Sequence, residues 1–183
     1  MGNDATGLEQ HEGRGTLARL VVAMRACPIP IVARVQGLCL AGGIGLATGC
    51  DVVLARESAA FGLPEVDRGA LGAATHLARL VPPHLMRALY FTASTVDAQT
   101  LHHHGSVYRV VPRAELDATA LAVARDIAAK DTRVIRAAKE AINGIDPVNV
   151  HTSYRFEQGF TFELNLAGVA DEHRDAFVAG NNG

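Results

Sequence analysis

The sequence has no tryptophan, and only 5% of its 183 residues are aromatic. It also has little excess charge: a formal net charge of -2 predicts no general attraction to nucleic acid or to an anionic membrane. No apolar run reaches the roughly 18 residues that a transmembrane helix needs. The polar first segment lacks the apolar region of a signal peptide. Together these absences predict a soluble, cytoplasmic protein with neither nucleic acid nor membrane as a partner.

Cysteine is also scarce, with only Cys27, Cys39 and Cys50. Their odd number and the lack of CxxC spacing argue against a disulfide framework or a zinc site, so we expect small core residues. Consecutive histidines occur at 102–104. Adjacent helix positions point about 100° apart, so three such side chains do not converge on one ion. Neither a metal nor a cofactor is predicted.

Apolar residues are abundant, at 49% of the chain, which is long enough for one domain with a substantial core. Composition and periodicity divide it into three parts. Residues 1–15 are polar and aperiodic and are expected to be mobile. Residues 16–147 are expected to form the core, and residues 148–183 a helical C-terminal region.

Within the core, strand and helix patterns alternate, which indicates α/β layering. The region after the central stretch predicts two short helices split by Pro82-Pro83, and a helix over Thr95–His104 capped by Thr95 and ended by Gly105. The other predicted elements are a helix over Thr16–Arg25, strands at Asp51–Ala55, Ala59–Gly62 and Val107–Val111, and helices over Ala114–Lys130 and Thr132–Asn143.

The central stretch, residues 30–65, carries the chemistry. Pro30–Gln36 is an apolar, β-branched run, Gly42-Gly43 allows a tight turn, and a helix can begin at Ile44. The first N–H groups of a helix are unpaired and can hold an anion or a thioester oxygen. Glu65 follows a second strand, where its carboxylate could move protons beside that oxygen.

The ordered pattern of this stretch resembles the crotonase superfamily, the enoyl-CoA hydratases and isomerases. The residues that carry the resemblance are Ala33, Gly37, Ala41, Gly42, Gly43, Leu46, Cys50, Asp51, Ala55, Ala59, Phe61, Gly62, Pro64 and Glu65. The resemblance implies a spiral α/β core of short strands and helices with a helical C-terminal region. It also implies an acyl-CoA substrate, a role in fatty-acid metabolism, and a homo-oligomer, trimeric or hexameric.

The resemblance implies roles for individual residues. Gly42 would supply one of two amides that stabilise an enolate-like oxygen, and Glu65 would be the acid–base catalyst. Ala41, Gly43 and Gly45 would contact the substrate. Family hydratases have a second glutamate at the position of Gly45, so its absence favours isomerisation, while hydration remains open. Some members also have an aspartate in the stretch matching residues 70–74, and none is present here.

Family members usually have a further N-terminal segment that donates the other oxyanion amide, and residues 1–27 show no counterpart. The chain is therefore expected to be a fragment, a mis-started gene product or a reduced homologue, in which half of the oxyanion hole is missing. The alternative to an enzyme is a truncated, non-catalytic acyl-CoA-binding or assembly subunit. A structural α/β protein without ligand is the third possibility.

Overall fold

The computed structural model describes residues 7–146 together with residues 156, 159–160, 162–168, 171 and 175. Its elements in chain order are α1 (Gly7–Ala26), β1 (Val32–Val35), β2 (Leu38–Leu40), α2 (Gly42–Gly49), β3 (Val52–Arg56), β4 (Ala60–Gly62), a 3₁₀ helix (Pro64–Arg68), α3 (Ala74–Leu77), α4 (Pro83–Phe91), β5 (Thr95–Asp97), α5 (Ala98–His103), β6 (Arg109–Val111), α6 (Leu116–Ala128) and α7 (Thr132–Ile145).

The strands form two small sheets, and the chain passes back and forth between them. The first sheet has the order β1-β3-β6 and is parallel throughout. The second has the order β2-β4-β5, in which β2 and β4 are parallel and β5 is antiparallel to β4. Helices separate β2 from β3, β4 from β5 and β5 from β6. The predicted α/β architecture is therefore confirmed.

A single buried cluster joins the two sheets to the helices. Strand residues such as Val53 and Phe61 pack in it with Ile44 of α2 and Leu77 of α3. Ile44, Phe61 and Leu77 have no accessible surface. Cys39 belongs to the same cluster, as predicted for a core residue, whereas Cys27 and Cys50 are only half-buried, so the predicted core position is wrong for those two. All three are free thiols.

Several predicted boundaries need correction. Thr95–His104 was predicted as one helix, but Thr95–Asp97 is strand β5, paired with β4. The cap of α5 is therefore Asp97, whose Oδ1 accepts from the Thr100 N–H at 2.6 Å. Gly105 follows that helix with φ of 81°, in keeping with its predicted role. The pairing with β4 decides this segment, because Thr95–Asp97 has one apolar residue between two polar ones and no local strand signal.

Other elements differ mainly in extent. Helix α1 includes Gly7–Gly15, which the sequence did not predict to be helical; the predicted mobility of residues 1–15 stays a prediction. Strand β2 was not predicted. Helix α7 continues through Gly144 to Ile145. In the predicted C-terminal region, the helical residues are 156, 159–160, 162–166, 171 and 175, and residues 167–168 form a turn. The other positions after 146 lie outside the described residues, so the prediction of a helical region over 148–183 is tested only in part.

One face of α7 binds the C-terminal end of α1 through polar side chains. The Lys139 ammonium, on a residue only 4% exposed, donates to the carbonyls of Met24 and Ile29 and contacts Asp51 Oδ2 at 2.8 Å. Asn143 Nδ2 donates to the Arg25 carbonyl at 2.9 Å. The Met24 and Arg25 carbonyls lie in the last turn of α1, where the helix supplies no N–H donors, so these side chains supply them.

The same face ends in an ion-pair junction centred on Asp146. Its Oδ2 accepts from Arg25 of α1 at 2.8 Å and from Arg79, which follows α3. All three side chains are at most 18% exposed. Asp51 also binds the backbone, since its Oδ2 accepts from the Ile31 N–H at 2.7 Å.

We expect Asp146→Asn to lower the free energy of unfolding by about 2 kcal/mol, because two largely buried guanidinium groups lose their counter-charge. The matched control is Asp117→Asn, which makes the same charge change in an exposed pair with Arg34. Exposed pairs contribute about 0.2–1 kcal/mol. Urea unfolding of both variants measures the difference, and equal effects would contradict a specific role for the Asp146 junction.

Candidate active site

The candidate site lies where two parallel strands end side by side. In the pairing of β2 with β4, Leu40 lies opposite Gly62, so the residues that follow both strands leave the sheet at one edge. Gly42 follows β2 and Glu65 follows β4. In open α/β sheets, ligands bind at the carboxyl ends of the strands. The fold therefore brings to one edge the two residues that the sequence assigns to catalysis.

Ala41 makes the turn from β2 into α2. Its backbone has φ 53° and ψ -120°, a conformation that a residue with a Cβ adopts rarely and at a cost of about 1–3 kcal/mol. The Ala41 N–H donates to the Gly62 carbonyl at 3.2 Å, and the Ala41 carbonyl accepts from the Ile44 N–H at 3.0 Å. These bonds hold the peptide group that joins Ala41 to Gly42, and so they fix the direction of the Gly42 N–H.

The glycines of α2 allow close packing on both sides of the helix. A Cβ on Gly42 would lie 3.2 Å from the Leu17 side chain of α1, which is tighter than normal packing. A Cβ on Gly43 would lie 3.6 Å from Cys39 Sγ, an ordinary contact. The close approach of α1 therefore favours glycine at position 42, in addition to the turn that precedes it.

Glu65 lies in the 3₁₀ helix that begins at Pro64, and its Oε2 atom is buried. The carboxylate packs over Gly72: a Cβ there would lie 2.7 Å from Oε2 and 2.9 Å from Cδ. The Gly72 carbonyl accepts from the Tyr90 hydroxyl at 3.1 Å. Gly72 therefore makes room for the Glu65 carboxylate, and Tyr90 holds the Gly72 backbone.

Sequence reasoning missed Gly72, although it examined the stretch 70–74 for an aspartate. The available signal was the glycine itself, flanked by leucine and alanine. Asp67 and Arg68, which are closer to Glu65 in sequence, are exposed.

His76 of α3 faces Gly45 and was also missed. Its side chain is almost completely buried, at 1% exposure, and its Nδ1 lies 3.3 Å from Thr48 Oγ1. A Cβ on Gly45 would lie 3.7 Å from His76 Nε2 and the same distance from Leu17. Burial, together with the charges of Arg79 and Arg25, lowers the pKa of His76 to about 4, so the imidazole is neutral at neutral pH.

A separate groove, with a volume of about 520 Å³, lies between the first sheet and helices α6 and α7. Its charged lining residues are Asp51, Arg109, Asp126 and Lys130. Neither Gly42 nor Glu65 lines it. The groove is therefore distinct from the site at the end of β2 and β4.

The described residues contain no cluster of three or more His, Cys, Asp or Glu side chains arranged to hold a metal ion. The histidines at 102–104 are all exposed, and His102 Nδ1 lies 2.7 Å from the Val107 carbonyl oxygen. Over that same part of the chain, no helix has the length and apolarity to cross a membrane.

Comparison with known families decides the relationship that the motif suggested. A model of the enoyl-CoA hydratase/isomerase family matches residues 2–166. The chain belongs to this family. The crotonase resemblance inferred from the ordered residues of the central stretch is therefore confirmed.

Two proteins that are similar to this chain share a name. A protein of Rhodococcus jostii, "(7aS)-7a-methyl-1,5-dioxo-2,3,5,6,7,7a-hexahydro-1H-indene-carboxyl-CoA hydrolase", is 62% identical over 97% of this chain and 71% of its own length. Its namesake from Mycobacterium tuberculosis is 70% identical over 85% of this chain and 63% of its own length.

A solved structure of an enoyl-CoA hydratase/isomerase from Xanthobacter autotrophicus Py2 has the same fold. It superimposes with a TM-score of 0.84 at 30% identity, covering 96% of this chain and 66% of the other. The chain thus spans roughly two thirds of these three proteins.

The resemblance implies a glutamate at position 45 in hydratases, whereas this chain has Gly45 there. Gly45 is buried between His76 and Leu17. The substrate contacts assigned to Ala41, Gly43 and Gly45 stay predictions, as do the homo-oligomer, the cytoplasmic location and the absence of a cofactor.

We expect His76 to make the protein less stable in acid. The pKa of His76 is about 4 in the folded chain and 6.5 as an unperturbed group, so below pH 6.5 the unfolded chain binds the proton first. Stability should be lost as pH falls from about 6.5 to about 4, by about 2–3 kcal/mol from this residue.

Urea unfolding at pH 7.5 and 4.5 tests this expectation with His76→Asn, which cannot titrate but keeps a donor near Thr48. The variant should lose less stability than the parent between the two pH values. An identical loss in both proteins would show that His76 does not titrate as its burial predicts.

We expect Gly72→Ala to displace the Glu65 carboxylate, because the added methyl group cannot share its position. Misplacing a catalytic group by about 1 Å can cost up to about 10²-fold in rate. Turnover of a CoA thioester should therefore fall at least about 10-fold. The control is Gly37→Ala, whose Cβ would have no neighbour within 4 Å. Unchanged turnover in Gly72→Ala would mean that the position of this carboxylate is not critical.

Proposed function

We propose that this protein is an acyl-CoA hydrolase, in which Glu65 activates water and the Gly42 N–H stabilises the oxyanion that forms. The observation that carries the proposal is that Gly42 and Glu65 follow β2 and β4, two paired parallel strands that end side by side, with glycine at position 45. Orienting water for addition to a double bond is most easily explained with two carboxylates. Attack on a carbonyl needs one base and an oxyanion donor.

The relatives support the choice of hydrolysis over hydration or isomerisation. Both proteins at 62% and 70% identity are named hydrolases of a bicyclic, diketone-containing acyl-CoA. We therefore propose a CoA thioester of a bulky keto acid as the substrate. Isomerisation, which the absence of a carboxylate at position 45 favoured from sequence, stays a prediction and is the second candidate.

The proposed reaction has two steps. Glu65 takes a proton from water, the water oxygen bonds to the carbonyl carbon, and the carbonyl π electrons move to the oxygen, where the Gly42 N–H stabilises the negative charge. The C–O double bond then re-forms and the leaving group departs with the bonding electrons, taking the proton from Glu65. The leaving group is the CoA thiolate if the thioester is attacked, and an enolate carbon if a ring ketone is attacked.

We expect Glu65→Gln to bind the substrate but to turn it over roughly 10²-fold or more slowly, since glutamine keeps the size of the side chain and cannot accept the proton. The assay uses the indene-carboxyl-CoA that is named for the relatives. Mass spectrometry detects the addition of water, and a thiol reagent detects released CoA. Gly37→Ala serves as the unaffected control.

The outcomes separate the candidate functions. Water addition without a new acid or thiol indicates hydration, and a product of unchanged mass indicates isomerisation. Parental activity in Glu65→Gln would refute the assignment of the base. Binding without any turnover in the parent would favour the non-catalytic acyl-CoA-binding subunit, and it would be detected as a rise in melting temperature with the acyl-CoA.

A further inference from the structure

A polar contact inside the core, between Thr48 and His76, connects helix α2 to α3. Both residues are buried, at 4% and 1% exposure. Thr48 Oγ1 lies 2.9 Å from the Ile44 carbonyl oxygen, 3.2 Å from that of Gly45 and 3.3 Å from His76 Nδ1. A hydroxyl has one hydrogen and accepts through its lone pairs, so these three contacts impose a direction on the network.

The direction follows from the acceptors. A carbonyl oxygen can only accept, and the Ile44 carbonyl is the shortest of the three contacts, so the single Thr48 hydrogen is assigned to it. With that assignment Thr48 Oγ1 accepts from His76, which places the hydrogen of the neutral imidazole on Nδ1. The low pKa of His76 agrees with this neutral form. Nε2 is the nitrogen that faces Gly45.

The network continues to the oxyanion amide. Thr48 fixes the carbonyl of Ile44, and the N–H of Ile44 donates to the Ala41 carbonyl at 3.0 Å. That carbonyl and the Gly42 N–H belong to one peptide group, which is planar. A shift of Ile44 would therefore rotate the Gly42 N–H. His76 is thus connected to the proposed oxyanion donor through Thr48, Ile44 and the peptide group of Ala41 and Gly42. His76 itself need not contact the substrate.

We infer that His76 is a positioning residue, which through Thr48 and Ile44 holds the Gly42 N–H in the direction needed to stabilise the oxyanion. The inference rests on the proposed function. It assigns a role to a buried histidine that the acid–base step does not use. It also makes a specific demand on chemistry: a donor is needed at the Nδ1 position.

Four variants test that demand. In His76→Asn the side-chain amide can replace the Nδ1 donor, and in His76→Leu a side chain of comparable bulk has no donor. Thr48→Val removes the hydroxyl with almost no change of shape, and the double variant combines the last two. The control is Thr92→Val, since the exposed Thr92 Oγ1 makes the same backbone contact, to the Ala88 carbonyl at 2.7 Å, far along the chain from the site.

We expect His76→Asn to keep kcat within about 3-fold of the parent. His76→Leu and Thr48→Val should each lower kcat at least about 10-fold with little change in KM, a part of the 10² to 10³ that losing an oxyanion donor costs. The double variant should be no slower than the slower single variant, because both remove the same contact. Thr92→Val should match the parent.

Nuclear magnetic resonance of the whole chain gives a readout that does not require activity. The ¹⁵N signals of His76 should show the hydrogen on Nδ1, and the Gly42 amide should shift in Thr48→Val but not in Thr92→Val. If the parent lacks turnover, the proposed function fails while these signals still decide the inference. Hydrogen on Nε2, an unmoved Gly42 amide, or full kcat in Thr48→Val would each overturn it. So would a His76→Asn variant as slow as His76→Leu, because the imidazole itself would then be required.

Discussion

The parallel pairing of β2 with β4 is the constraint on which the rest of the site depends. These strands are only three residues long, and their register sets Leu40 beside Gly62. A shift of register by one residue would turn the side chains of a strand to its other face. It would also separate the turn at Ala41 from the 3₁₀ helix that carries Glu65. The buried cluster around Phe61 therefore stabilises the chemistry as well as the fold, because it keeps β4 in place.

Around this pairing, small residues and buried polar groups meet specific steric and electrostatic demands. Gly42 admits α1, and Gly72 admits the Glu65 carboxylate. His76 fills the space beside Gly45 and remains neutral there. The neighbours of Gly45 pack against the space that a longer side chain at this position would occupy. This packing supports a site with one carboxylate and a single-base reaction.

The sequence predicted the parts that depend on local pattern. The apolar runs predicted β1 and β3, the Gly-Gly pair predicted the start of α2, and the order of motif residues predicted the family. It also predicted β4 and β6, although each has only three residues. It did not predict β2 or β5: β5 has one apolar residue between two polar ones, and β2 lies directly before the glycine turn, so each is defined by its pairing with β4. Gly72 and His76 were missed for a related reason: each matters through a contact with a residue distant in the chain, and neither has a local signature.

A structure of the protein with a CoA thioester analogue that resists hydrolysis tests the central claim most directly. The account predicts the thioester or ketone oxygen within about 3 Å of the Gly42 nitrogen, the distance of a normal hydrogen bond, with the Glu65 carboxylate facing the same carbonyl. An analogue bound instead in the groove between the first sheet and helices α6 and α7, with its carbonyl remote from Gly42 and Glu65, would contradict the account.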